Sequence, residues 1–316
     1  MAAESFAGHY VWHPAADDRQ LAGACVDVRA GRYLGAARVL LDSRDDFGVR
    51  AHRSLVLASE AADSDLAERW LDEEPGPDSA LLWARVAMLR ALRSAEQKDS
   101  RAGQLTRIAF TACERAAALY PADPTPWVAQ LALARLAGMR DPAPEGLMTG
   151  PPGPWRLFVK ILHLDLWHRE AHHRLLSYFH SHNGGSASAR WDVATFLSHR
   201  APANSALRLL PLVTLVEDYD DSVLLADSVW TQPQWRRTSL SIYHTWFPEV
   251  GGYRFTPVLD LAYLAHALHM ARCEFEARAV LVAMGPYASR MPWHTFGDPA
   301  VQLSRTRQLC GLPVPD

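Results

Sequence analysis

Apolar residues recur at three- and four-residue spacing along nearly the whole chain, and the every-second-residue alternation of a half-buried strand is nearly absent. That periodicity restricts the chain to an all-α fold. Turn-forming clusters such as "EEPGPDS", "YPADPTP", "HSHNGGS", "RAPANS" and "FPEVGGYRFTP" interrupt it roughly every fifteen to twenty residues. The spacing leaves helices of about ten to fifteen residues joined by short connections. Such a chain is either a globular bundle or a stack of helical hairpins.

Self-similarity favours the stack. "LYPADPTPW" (Leu119 to Trp127), "LDLWHREAH" (Leu164 to His172) and "RAPANSALR" (Arg200 to Arg208) each follow an apolar helix and set a turn before the next. Aligned on that turn, Asp123, His168 and Asn204 are equivalent, at intervals of 45 and 36 residues. Asp and Asn there cap helices, because their side-chain oxygens accept from the first free amides. A second pattern opens the chain. "LAGACVDVRAGRYLGAARVLL" has a small-residue helix, Gly31 and Tyr33 at the turn, then Ala36 and Leu40 on the next helix. "LAHALHMARCEFEARAVLVAMG" (Leu264 to Gly285) repeats it with Phe275 slipped by one place.

On these motifs the chain resembles tetratricopeptide-like helical-repeat proteins with degenerate repeats. The stretch "HSHNGGSASARWDVATFLSHRAPANSALRLLPLVTLVE" also resembles the helical-repeat domains of a bacterial family to which no activity is attached. The resemblance implies a right-handed α-solenoid of roughly seven antiparallel helical hairpins. The expected organisation is an N-terminal arm (1–16), one repeat domain (17–310) ending in a helix from about Pro299 to Leu309, and a tail (311–316). A Pro/Gly-rich insertion at 138–154 is expected to join the two helices of one hairpin.

Charge and cysteine use narrow the functional classes. A formal net charge of −3 gives no footprint for nucleic acid or an anionic membrane. The four cysteines, Cys25, Cys113, Cys273 and Cys310, never form a CxxC pair, which argues against a disulfide framework or zinc knuckle. The first twenty residues lack the basic and apolar regions of a signal peptide, and the apolar run "VLDLAYLAHALHMA" is too short to span a bilayer. A cytoplasmic location is expected. Arginine outnumbers the two lysines, Lys98 and Lys160, so heavily that a high-GC bacterial origin is expected.

One cluster invites a chemical reading. His163 to His182 holds six of the 14 histidines. With a helix capped near His168, Ala171, His172, Leu175 and Phe179 fall on one stripe, and Arg169, Glu170, His173, Arg174 and His180 fall away from it. The histidines therefore do not converge. His168 and His172, four apart, are the metal ligands of the alternative reading, but zinc needs a third ligand and a second shell. No HExxH occurs, and the lone ExxH, Glu170 to His173, lacks the second copy of a di-iron bundle. The aspartate runs "DSRDDFG" (Asp42 to Gly48) and "EDYDDS" (Glu217 to Ser222) read as solvated turns rather than magnesium–diphosphate ligands. The HNGG turn (His182 to Gly185) reads as a chain reversal rather than an anion nest.

No cofactor is called for. The expected role is a non-catalytic scaffold or adaptor that binds a protein or peptide through the region between Trp127 and Arg208. Its expected contact residues are Trp155, Arg156, His172, Arg174, Tyr178, His182 and Trp191, with the eleven tryptophans otherwise wedging neighbouring helices. The alternative is an all-helical enzyme or a small-molecule or metal-binding protein using His172, Asp165 and His266 or His269.

Overall fold

A computed structural model describes residues 9–144, 150–218, 229–253 and 255–315. Among them are fifteen α-helices and no strand beyond two isolated bridges, so the fold is all-α. Contacts divide the chain into a unit of residues 18–193 and a second of 1–17 with 194–316. The expected arm ends where this division begins, and it groups with the C-terminal residues.

The 18–193 unit opens with α1 (Arg19–Arg29) and α2 (Leu34–Leu41). Asp18 starts α1 by accepting from the Leu21 amide at 2.9 Å. A Cβ at Gly35 would stand 2.7 Å from Asp27 Oδ2 and 3.1 Å from Ala24 Cα, so the absence of a side chain lets α2 lie against α1. Tyr33 then stacks on Trp70 with ring centroids 5.5 Å apart, the wedge that the sequence pattern calls for. Its slipped counterpart Phe275 wedges nothing: it is 79% exposed.

There follow α3 (Phe47–Ala61), α4 (Leu66–Glu73), α5 (Pro77–Glu96), α6 (Ala102–Leu119), α7 (Thr125–Ala132), α8 (Trp155–Leu164) and α9 (Arg169–Tyr178); α10 is Ala187–Arg200. Asp46, from the first aspartate run, caps α3 through the Val49 amide, a turn role rather than a metal role. Packing follows chain order with a skip: α1 lies on α3, α3 on α5, α5 on α7 and α7 on α9. The tightest seam joins α5 to α6. Ala84, Ala87, Met88 and Ala91 meet Ala109, Ala112, Cys113 and Ala116, side chains small enough for close approach along the helices' length.

The Pro/Gly insertion does connect α7 to α8. Its ends are clipped together, because Asp141 and Gly153 exchange both backbone hydrogen bonds at 2.7 and 2.9 Å. Residues 145–149 of the insertion lie outside the described residues, as does most of "EDYDDS".

In the other unit, α11 is Leu210–Glu217, α12 Pro233–Thr245, α13 Val258–Met270, α14 Glu274–Met284 and α15 Pro299–Leu309, the last with the expected bounds. Asp298 caps α15 through the amides of Ala300 and Val301. Helix α13 is buried continuously from Asp260 to Leu268, packed by α11, α12 and α14, which explains why it is apolar all round. The arm is held here: Tyr10 and Ser304 share a 3.0 Å hydrogen bond, and Val11 bridges Tyr287. Among the described residues no helix is long and apolar enough to cross a membrane.

Candidate functional site

The histidine cluster resolves into structural roles. His168 is the cap of α9, its Nδ1 accepting from the Ala171 amide at 3.3 Å. His172, one turn later, sets its Nδ1 2.9 Å from the His168 carbonyl oxygen and packs edge-on to Phe158. Both are buried, and burial pushes both imidazoles below their ordinary pKa, His172 down to about 4. Within neither unit do three His, Cys, Asp or Glu ligand atoms of the described residues approach within 4.8 Å of one another. Each imidazole spends its Nδ1 on a backbone contact, so the pair leaves a metal only two Nε2 atoms.

The stripe of Ala171, His172, Leu175 and Phe179 is buried as its rotation demands. The opposite face is not plain solvent, however. His173 is half-buried, and Glu170 is drawn into a three-residue ion pair. Arg85, fully buried on α5, grips Glu170 with both terminal amines at 2.9 and 2.6 Å, while Arg174 adds a contact at 3.0 Å. Burial opposes the charge on Glu170, yet the two arginines outweigh it and hold the carboxyl down at about 2. Arg85 also donates to Ser54 of α3, so one guanidinium ties α3, α5 and α9.

Beside this ion pair, α5, α7 and α9 open into a groove of about 770 Å³. The end of α5 supplies Leu92, Ala95 and Glu96, and α7 with its following turn supplies Leu131, Ala132, Arg135 and Leu136. The end of α9 and the turn after it supply Arg174, Ser177, Tyr178, His182 and Asn183. Tyr178 fixes the wall. Its hydroxyl donates to the Met139 carbonyl at 2.5 Å, and Arg135 lies over its ring at 4.1 Å while donating to its carbonyl oxygen at 2.8 Å. Asn183 donates to the Ser177 carbonyl oxygen at 2.8 Å. Glycine then permits the reversal: Gly184 has φ +75°, and a Cβ on Gly185 would sit 2.1 Å from the Phe179 carbonyl oxygen. The HNGG turn is thus a backbone necessity.

The seven expected contact residues separate on this geometry. Arg174, Tyr178 and His182 line the groove. Trp155 is fully buried, its indole N–H donating to the Pro151 carbonyl oxygen at 2.8 Å and its ring against Phe179, so it is a packing wedge rather than a contact surface. His172 is likewise interior. Arg156 is exposed but pairs with Asp141 at 3.4 Å beside the insertion, and Trp191 is half-buried away from the groove lining. Sequence reasoning missed Leu92, Glu96, Arg135 and Leu136, because a groove built from three helices carries no local motif. Of the eleven tryptophans none is exposed, which fits the wedge role. For the alternative reading, His172 and Asp165 lie in the 18–193 unit and His266 and His269 in the other.

No match to this chain was found among protein-family models, curated proteins or solved structures.

Proposed function

We propose that this chain is a non-catalytic, tetratricopeptide-like scaffold that binds a peptide segment of a partner protein in the α5–α7–α9 groove. The observation that carries the reading is the groove's construction. Three helices that succeed one another in the packing order line one cleft, α5 and α7 with mostly apolar side chains and the end of α9 with polar ones, as in a right-handed stack of hairpins whose first helices form the concave wall. Charge chooses the occupant. Arg135 makes no ion pair among the described residues, Arg174 already serves Glu170, and His182 is exposed, against the single carboxylate of Glu96. An acidic peptide with a carboxylate for Arg135 and a leucine-sized anchor for Leu92 and Leu136 fits this balance.

A peptide selected from a random displayed library on the full-length protein supplies the probe, and fluorescence polarisation measures it. Leu136 is 41% exposed, so Leu136→Asp leaves the fold intact while placing a carboxylate in the cleft. The expected result is a loss of about tenfold or more in affinity, roughly 1.4 kcal/mol, with the melting temperature unchanged. The control is Leu119→Asp, on an equally exposed leucine outside the groove, with no loss. Equal effects of the two substitutions would remove the groove from the account.

A further inference from the structure

One carboxylate on α9 stands between two guanidinium groups that differ in where they end. Glu170 Oε1 accepts from Arg85 Nη1 at 2.9 Å and from Arg174 Nε at 3.1 Å, and Oε2 accepts from Arg85 Nη2 at 2.6 Å. Arg174 Nη2 adds a contact to Oε1 at 3.0 Å. Arg85 is fully buried, with its Nε 3.3 Å from Ser54 Oγ. Arg174 keeps 25% of its side chain exposed and lines the groove. Its remaining terminal amine, Nη1, makes no hydrogen bond or ion pair among the described residues.

Two cations share one anion here, so the trio carries one net positive charge. Burial opposes the charge on Glu170, yet the arginines hold its pKa down at about 2, so it is ionised at neutral pH. The neighbouring His168 adds no charge there, because burial keeps its imidazole neutral. Arg85 spends both terminal amines on Glu170 and has no surface of its own, so the exposed end of the trio is Arg174 in the groove. Without Arg85, a ligand carboxylate in the groove would meet the repulsion of Glu170 set against the attraction of Arg174.

Building on the reading of the groove as a peptide site, we infer that Arg85 is a positioning residue for recognition: it takes up the charge of Glu170 and so leaves Arg174 a net cation in the groove, a second anchor beside Arg135 for the carboxylates of the bound peptide. Arg85 itself touches no ligand. Glu170 orients Arg174 as well, since Nε and Nη2 face the carboxylate and Nη1 is left for a ligand oxygen. The two buried partners thus act on affinity in opposite directions. Arg85 raises the pull of the groove on an acidic peptide, and Glu170 lowers it.

Two substitutions that remove opposite charges give the test, because loss of packing alone predicts the same sign for both. Fluorescence polarisation measures the affinity of the full-length protein for the selected peptide and for its neutral form, with Asn and Gln in place of Asp and Glu. Arg85→Gln keeps an amide donor toward Glu170 but removes the buried cation, and is expected to weaken binding of the acidic peptide on the order of fivefold. Glu170→Gln keeps an oxygen acceptor for both arginines but removes the anion, and is expected to tighten that binding on the order of fivefold. The neutral peptide is expected to respond to each by less than about twofold. Weaker binding in both variants, an unchanged affinity in either, or equal shifts with the neutral peptide would overturn the assignment. Where one variant does not fold, the sign seen in the other decides. A selected peptide without acidic residues, or one indifferent to Leu136→Asp, removes the groove reading itself; a peptide that needs Leu136 but lacks the opposite signs removes the role of Arg85 alone.

Discussion

Lowering the pH from 7.5 to 5.0 is expected to destabilise this protein well before its carboxylates titrate. His172 and His266 are held neutral by burial, with pKa values down at about 4 and about 3, and His168 and His173 are shifted the same way, again first by burial. An unfolded chain returns all of them to about 6.5. Between that value and the folded values the unfolded state binds more protons, so stability rises with pH across this window and falls as acid is added. The stabilisation is complete above about pH 6.5 and is lost progressively toward pH 4, at about 2 kcal/mol each by pH 5 for His172 and His266, with His168 and His173 adding in the same direction. Glu170 works in a lower window: its folded pKa near 2 makes its contribution complete above about 4.5 and lost below that. Denaturant midpoints at pH 7.5 and 5.0 check the account. His266→Phe, whose ring replaces imidazole among three aromatic neighbours, is expected to flatten the pH dependence. Identical midpoints at the two pH values would contradict the burial assigned to these rings.

The second large effect is expected from Arg85. Arg85→Met removes the bidentate partner of a buried carboxylate and leaves Glu170 with Arg174 alone. Breaking a buried pair on one side costs about 3 to 5 kcal/mol, chiefly because the remaining charge is stranded. The double variant Arg85→Met with Glu170→Met strands nothing and fills similar volume, so it is expected to recover most of the loss. Urea unfolding of the two variants separates the possibilities. A double variant less stable than the single one would mean that the pair contributes to stability in its own right, beyond satisfying its own burial.

These two expectations rest on residues whose roles were legible to different degrees. The cap at His168 and the bounds of α15 follow from local chemistry, a side-chain acceptor before a first turn and an Asp-Pro start, and local chemistry is what a sequence displays. Tyr33 was legible as a wedge because small residues surround it at helical spacing. Phe275 shares that pattern yet stands in solvent, since a one-place slip rotates a helical side chain by about 100°. Glu170 was assigned to the outer face of α9 by the same rotation, and the assignment fails because α5 covers that face. The covering side chain, Arg85, lies 85 residues earlier, where no periodicity points to it. The groove was legible through Arg174, Tyr178 and His182, the polar residues of one helix end, while its α5 and α7 walls look in sequence like any other apolar stripe. Tryptophan density misled in part: Trp155 is large and central, and for that reason it fills the core. The arm illustrates the same limit at its longest range, because Tyr10 finds its partner Ser304 across 294 residues.

Amide hydrogen exchange of the full-length protein, with and without the selected peptide at saturation, tests the scaffold reading most directly. The account predicts added protection concentrated in 92–96, 131–136 and 174–183, the three groove walls, with 258–309 unchanged. Protection confined to 258–309, or spread evenly with none of the three walls standing out, would contradict it.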